Sequence, residues 1–242
     1  MGLIYGKNPV LEAIVSGNTI NKIYAQTSNK EIDSVIKEAL NRKIVVVNTD
    51  KQKLDKMIEG KNSQGIVANV TDFKYSSIED IIEYAKSKNE SPFVVILDKI
   101  EDPHNLGAII RTCECMGAHG VIIQKRNACQ VTDTVEKVAV GACSYVKVAR
   151  VTNITESIKK LKEYGLWIYG LDMKGETEIY NTKLDGAIGI VVGNEGEGIS
   201  KLVKENLEVL VKIPMKGKIN SLNDSVSTAI SIYEVIRQKN QK

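Results

Sequence analysis

Three segments of this 242-residue chain carry residue types suited to chemistry, and each follows an apolar run that reads as a strand. The first is Leu97-Asp98-Lys99-Ile100-Glu101-Asp102-Pro103-His104-Asn105-Leu106-Gly107, which opens a helix. Arg111 follows Asn105 by six residues, nearly two helical turns, so two polar groups are placed to face one cleft. Arg111 also stands among Ala108, Ile109, Ile110 and Cys113, where a purely solvent-facing residue is less expected. A capped helix start with a surface arginine would have the same spacing. The second segment is Ile190-Val191-Val192-Gly193-Asn194-Glu195-Gly196-Glu197-Gly198-Ile199. Glycines at 193, 196 and 198 demand a sharp turn or a close approach of backbone to ligand. Their order is GxxGxG, not the dinucleotide fingerprint GxGxxG, and no GxxxxGK[ST] phosphate loop occurs. The third runs Ile213-Pro214-Met215-Lys216-Gly217-Lys218-Ile219-Asn220-Ser221-Leu222-Asn223, with Ser221 read as the N-cap of the last helix. In doubly wound sheets, ligands bind beyond the carboxyl ends of strands. The three segments therefore describe one pocket with Asn, Arg, Glu and Ser as polar handles. No Ser-His-Asp, Cys-His or paired-carboxylate hydrolase set is evident.

The elements that hold these segments follow from periodicity. From Pro92 onward strongly apolar strands alternate with helices: strands at 93–97, 121–123, 146–149, 166–169, 187–192 and 209–213, and helices near 106–116, 134–140, 154–164, 200–205 and 222–238. Strands this apolar are covered on both faces, which predicts a mostly parallel, doubly wound α/β domain. The preceding stretch reads as a small α/β/α module: a helix at 8–15 capped by Asn8, a strand at 22–25, a helix at 31–41, a buried strand at 44–47, a short helix capped by Asp50, and a strand at 65–70. Ser77 caps a further helix over 78–86. The expected division is 1–72 and 73–242.

Composition excludes several classes. With 43% hydrophobic and 26% charged residues the chain is that of a globular protein, not a disordered or collagenous one. No apolar run approaches the ~20 residues that span a bilayer, and the start Met1-Gly2-Leu3-Ile4-Tyr5-Gly6-Lys7 lacks the pattern of an export signal, so a cytoplasmic protein is expected. The net charge of +3 neither announces nor excludes nucleic-acid binding. Cys113, Cys115, Cys129 and Cys143 form no CxxC pair and are read as small buried apolar residues; with His104 and His119 the only histidines, no metal site is expected.

At the three segments the chain resembles the SpoU/TrmH family of RNA ribose 2′-O-methyltransferases, within the SPOUT superfamily. The carriers are Asp102-Pro103-His104-Asn105-Leu106-Gly107-Ala108 through Arg111, Val192 through Gly198, and Ile213-Pro214-Met215 with Ser221-Leu222-Asn223. The opening Ile4-Tyr5-Gly6-Lys7-Asn8-Pro9-Val10-Leu11-Glu12-Ala13-Ile14 is similar to the L30e-like substrate-binding domain that precedes the catalytic domain in the family's 23S rRNA guanosine enzymes. The resemblance implies a C-terminal trefoil knot, which periodicity would never suggest because true knots are so rare. It implies S-adenosylmethionine held in that knot, no metal, a homodimer, and RNA as substrate. Carried over residue by residue, the catalytic set falls on Asn105, Arg111, Glu195, Ser221 and Asn223. The cofactor set falls on Gly193, Asn194, Gly198, Ile213, Met215 and Leu222. Lys7 and Lys218 lie within family-like segments and are the favoured RNA contacts among Lys7, Lys22, Lys125, Arg126, Lys216 and Lys218.

A ribose hydroxyl must shed a proton as it attacks a methyl sulfonium, and some group must take it or stabilise the alkoxide. A guanidinium normally stays charged, which favours Arg111 as a clamp on phosphate and oxyanion rather than as the base. The proton acceptor is left unassigned. One departure from the family pattern stands out: Asp224 follows Asn223 where a small or apolar residue is usual, and Ser227-Thr228-Ala229 replaces a Gly-containing run. An acid near the cofactor wall either disturbs packing there or sits harmlessly at the helix N-terminus, where the dipole favours it, and Asp224→Val is expected to leave cofactor affinity unchanged or improved. The leading reading is methylation of a guanosine of 23S rRNA or its precursor. The alternatives are a tRNA ribose methyltransferase and a non-catalytic RNA-binding or assembly factor of the same fold.

Overall fold

The computed structural model describes residues 2–16, 18–70, 73–219 and 221–241. By internal contact the chain divides into two units, Met1–Lys74 with Val131–Asp133, and Tyr75–Gln130 with Thr134–Lys242. The expected join after residue 72 falls at Asp72, which lies outside the described residues.

The first unit contains β1 (Gly2–Tyr5), α1 (Lys7–Ser16), β2 (Ile20–Ala25), α2 (Asp33–Asn41), β3 (Val46–Asn48), α3 (Lys51–Met57) and β4 (Ile66–Val70). Its sheet order is β1-β4-β2-β3, antiparallel except for the parallel β2–β3 pair. Val10, Ala13 and Ile14 of α1 and Val35 and Ala39 of α2 pack with Ile23, Ile66 and Ala68. Leu54 and Ile58 meet Val67, the residue between Ile66 and Ala68, and so by the pleat lie on the other side of β4. Asp50 caps α3 by accepting from the Lys53 N–H. Two expectations are corrected. Helix α1 begins at Lys7, directly after Gly6 at φ +91°, so Asn8 lies inside its first turn rather than capping it. The strand expected as buried over 44–47 is Val46–Asn48 and only half-buried, because it is an edge strand paired to β2 alone; Val45 is exposed. Strand β1 escaped the periodicity.

The second unit contains α4 (Ile78–Ser87), β5 (Phe93–Asp98), α5 (Pro103–Cys115), β6 (Gly120–Gln124), α6 (Asp133–Ala139), β7 (Lys147–Val151), α7 (Ile154–Glu163), β8 (Trp167–Leu171), β9 (Thr177–Glu178), β10 (Ile188–Gly193), the single turn α8 (Lys201–Lys204), β11 (Val209–Lys212) and α9 (Asp224–Lys239). Its seven strands run in the order β7-β6-β5-β10-β8-β11-β9, every pair parallel. Strands β5 and β10 are buried along their whole length, as a sheet covered on both faces requires. Val94, Ile96 and Val191 pack with Ile81 of α4, Ile158 and Leu161 of α7 and Val203 of α8. By the pleat Val95, Leu97, Ile190 and Val192 face the opposite side, where α9 contacts β10 and packs against α5. The two-residue β9 was not foreseen; it is too short to carry a period. Ser77 caps α4 through a reciprocal capping box with Asp80. Of the cysteines only Cys113 is buried; Cys115, two residues further round α5, is exposed, and Cys129 and Cys143 are half-buried. Burial pushes the thiols of Cys129 and Cys143 up to about 12 and about 11.

Candidate active site

A cavity of about 330 Å³ opens at the carboxyl ends of adjacent strands. Leu171, Asp172, Met173 and Lys174 line it from the end of β8, Val192 through Gly198 from the end of β10, and Ile213, Met215, Ser221 and Leu222 from the segment after β11. Asp224 and Ser227 contribute the start of α9, and Lys204 contributes α8.

One amide joins the three sequence segments. Asn223 Nδ2 donates to Asn105 Oδ1 at 3.0 Å and to Glu195 Oε1 at 2.8 Å, partners 118 and 28 residues away. Its Oδ1 accepts from the Ser225 N–H at 2.9 Å, which makes Asn223, not Ser221, the N-cap of α9. The Ser225 hydroxyl donates to the same oxygen at 2.6 Å, so every hydrogen-bonding direction of this side chain is committed. Asp102 caps α5 by accepting from the His104 and Asn105 N–H groups, with Pro103 in the first turn. The cap holds Asn105 in place for Asn223.

The glycine loop is a turn closed on itself. Asn194 Oδ1 accepts from the Gly196 and Glu197 N–H groups at 3.1 and 2.7 Å, and the Gly198 N–H donates back to the Asn194 carbonyl at 2.9 Å. A Cβ on Gly193 would collide with the Gly198 and Ile199 backbone, and Gly198 sits at φ +67°. Glycine at these two positions thus serves the return of the chain. The end of β5 anchors the loop: Asp98 Oδ2 accepts from the Ser200 N–H at 2.7 Å, and Lys99 pairs with Glu197 at 3.0 Å. Asp98 is wholly buried, and its Oδ1 has no hydrogen-bond partner among the described residues.

The expected residues divide as follows. Gly193, Asn194, Gly198, Ile213, Met215 and Leu222 line the cavity, as do Glu195 and Ser221. Asn223 and Asn105 stand beside it, linked to Glu195 by the amide network. Arg111 does not line this cavity. It is exposed on α5, because Leu106, Gly107, Ile109, Ile110 and Cys113 occupy the buried face. Six residues at about 100° each leave it roughly 120° around the helix from Asn105, so the two do not share a side. Gly107 belongs to packing: a Cβ there would meet Val138 Cβ at 2.7 Å. Lys218 is exposed and Lys7 half-buried; neither lines the cavity.

The sequence reading missed the end of β8. Asp172 and Lys204 form an ion pair at 2.5 Å. Burial pushes the Asp172 carboxyl up, but Lys204 and the Lys174 N–H outweigh it and hold the group below its ordinary value. The strand-end rule itself pointed to Leu171-Asp172, since β8 is one of the apolar strands. What sequence order hid is that β8 lies between β10 and β11. Asp224 differs from Asp172. Only 7% exposed, it meets neither a cation nor a side-chain donor among the described residues. Burial first, then the Glu195 carboxylate, push it up to about 6, although the Glu195 N–H pulls the other way. The Asp224 N–H itself leans on Glu195 Oε1 at 3.4 Å.

Comparison with known proteins converges on this arrangement. Residues 92–233 match the model of the SpoU rRNA Methylase family, and residues 3–76 that of the RNA 2′-O ribose methyltransferase substrate-binding domain. The chain is 40% identical, over 98% of its length and 96% of the relative's, to YacO of Bacillus subtilis strain 168, which bears the name of a TrmH family tRNA/rRNA methyltransferase. Its fold is shared with the SpoU methyltransferase AviRb of Streptomyces viridochromogenes, solved in complex with AdoMet, at a TM-score of 0.64, 20% identity, and 99% and 91% coverage of the two chains. The A. aeolicus TrmH/SpoU tRNA modifying enzyme aligns with a TM-score of 0.58 at 26% identity, covering 66% of this chain and 85% of its own. A family match spanning more than half the sequence, over the very segments that Asn223 ties together, settles the matter: the chain belongs to the SpoU rRNA methylase family of RNA methyltransferases.

Proposed function

We propose that the protein transfers a methyl group from S-adenosylmethionine to a ribose 2′-hydroxyl of RNA, and that the target is a guanosine of 23S rRNA or its precursor. The observation that carries the reading is the amide of Asn223, which binds Asn105 and Glu195 at the rim of a strand-end cavity. The cavity suits the cofactor. Leu171, Val192, Ile213 and Leu222 offer apolar walls to a purine, and Glu195 and Asp224 suit a cationic centre. Its volume lies at the small end of the range for such sites. Bound there, S-adenosylmethionine supplies a methyl already activated by a positive sulfur, so no metal is called for.

The chain's own groups have the remaining work. Asn105 and Asn223 fix the position of the Glu195 carboxylate, and Ser221 adds a hydroxyl at the opening. Arg111, exposed and free of any ion pair among the described residues, is available to grip a phosphate and offset charge developing on the ribose oxygen. RNA contacts at Lys7 and Lys218 belong to this reading, as does a division of labour in which residues 1–72, L30e-like, hold the substrate and 73–242, with a trefoil knot at its C-terminal part, perform the transfer. The substrate-binding model over residues 3–76 supports that division. A homodimer acting in the cytoplasm completes it. Helix α9 leaves Val226, Ile230 and Tyr233 exposed at spacings of four and three, an apolar stripe suited to a second copy.

Transfer of labelled methyl to unmodified 23S rRNA, 16S rRNA and tRNA, followed by mapping of the modified ribose, tests the reading. A 2′-O-methylguanosine in 23S rRNA is expected. Methylation of tRNA alone would favour the second reading, which the A. aeolicus likeness supports over 66% of the chain. Label in a base, or in no RNA, overturns both.

A further inference from the structure

Asp224 is an acid without a matching base. It lines the cavity, is almost fully buried, and faces charges of its own sign: Glu195 from the loop after β10 and Asp102 from the start of α5. The cations near the cavity are gathered about other carboxylates. Lys204 pairs with Asp172, Lys99 pairs with Glu197, and Lys174, which lines the cavity from the loop beyond β8, lies beside Asp172, to which its N–H donates. A carboxyl in this position is costly to ionise until a cation enters. We propose that Asp224 is a charge-selecting group that favours the cationic sulfonium of S-adenosylmethionine over the neutral thioether of the product, S-adenosylhomocysteine. The proposal rests on the reading that this cavity takes S-adenosylmethionine. It reverses the expectation that Asp224→Val is harmless, because the side chain belongs to the cavity lining and is not displayed to water at the helix start.

Cofactor binding and the ionisation of Asp224 are linked. The cavity is small enough that a charge inside it lies within the ~8 Å screening length of the lining groups. Burial and Glu195 raise the free carboxyl to about 6. An opposite charge a few ångströms away lowers such a value by one unit or more. Cofactor binding then expels a proton, and ionised Asp224 strengthens binding by the same factor. After transfer the sulfur is neutral, the attraction disappears, and the product is released more readily than the donor.

Titration calorimetry of the full chain without RNA tests this, at pH 5, 6 and 7.5 and in two buffers of different ionisation enthalpy at pH 6. A one-unit drop predicts that S-adenosylmethionine binds roughly five-fold tighter at pH 7.5 than at pH 5, and releases about 0.4 proton at pH 6. S-adenosylhomocysteine should change by less than about two-fold. Asp224→Asn should abolish the pH dependence and weaken S-adenosylmethionine roughly ten-fold at pH 7.5, leaving S-adenosylhomocysteine unchanged. If the variant does not fold, the two ligands compared on the unaltered chain still decide. Equal pH profiles for both ligands, or a slope that survives in Asp224→Asn, overturns the inference and leaves the proposed function standing. Binding of neither ligand overturns both.

Discussion

The two ends of the second unit's sheet both bury titratable groups, but they treat them differently. At the amino end His119 is 2% exposed, and its Nδ1 accepts from the Phe93 N–H at 3.0 Å while Nε2 meets Glu90 Oε2 at 3.0 Å. Lys239 donates to the Ser91 carbonyl at 3.0 Å and lies over the Phe93 ring. Every one of these groups has a partner. At the carboxyl end Asp98 Oδ1 is buried with none among the described residues, and Asp224, although it accepts from the Glu195 N–H, is buried beside another carboxylate. Buried polar groups are nearly always satisfied in a folded chain, so an unpartnered oxygen and a buried pair of like charges at one end of the sheet point to a site shaped for something else. The satisfied cluster at the amino end holds the C-terminal part of α9 against the start of β5, and nothing more is needed to explain it.

The sharpest way to break that contrast is Arg111→Lys. If the carboxyl end is where RNA reacts, losing the guanidinium fork should lower methyl transfer by about 10²-fold. Cofactor affinity should be unchanged, since Arg111 lies outside the cavity. Unaltered turnover would remove the clamp from the proposed mechanism. Asn223→Ala should cut activity strongly as well, and also cost about 1 kcal/mol of stability because it strips α9 of its cap. Denaturant melts of the variant measure the second effect separately from the first.

Asp224→Asn probes the unsatisfied end from the side of stability. The folded value of about 6 exceeds the ordinary 3.8, so the native chain holds this proton more tightly than the unfolded one. The stabilisation is complete below about pH 4 and is lost as pH rises through 6. The variant should therefore melt a few degrees above the unaltered chain at pH 7.5 and level with it at pH 4. His119→Gln is the counterpart at the satisfied end, with the smallest effect. Burial there holds His119 below 6.5, despite Glu90, so the native chain resists protonation and loses stability as pH falls below 6.5. The glutamine variant should flatten that acid limb by about 1 kcal/mol or less, with methyl transfer untouched. A large loss of activity would erase the distinction between the two ends.

Local signals were legible. Asp50 and Ser77 cap their helices where a short polar residue precedes an apolar period, and the strands of the large sheet follow their apolar runs within a residue or two. Less legible was anything dependent on a neighbour distant in the chain. Ser221 and Asn223 are equally good caps by type; the acceptors Asn105 Oδ1 and Glu195 Oε1, both distant in the chain, choose between them. Arg111 sits in an apolar stretch, yet the helix turns it outward because the buried face is taken by residues on either side.

By itself the sequence determined the alternation of strands and helices, the parallel class of the sheet, and the three motif segments, because each is written in residue type and short-range period. Only the tertiary structure decided that β8 lies between β10 and β11, which brings Asp172 and Lys204 into the cavity wall. Tertiary packing alone also turned Asp224 from a dipole-tolerated helix residue into a buried carboxyl facing Glu195. The reason is physical: a backbone period is set by bonds between near residues, whereas burial and charge are set by whatever the fold later brings alongside.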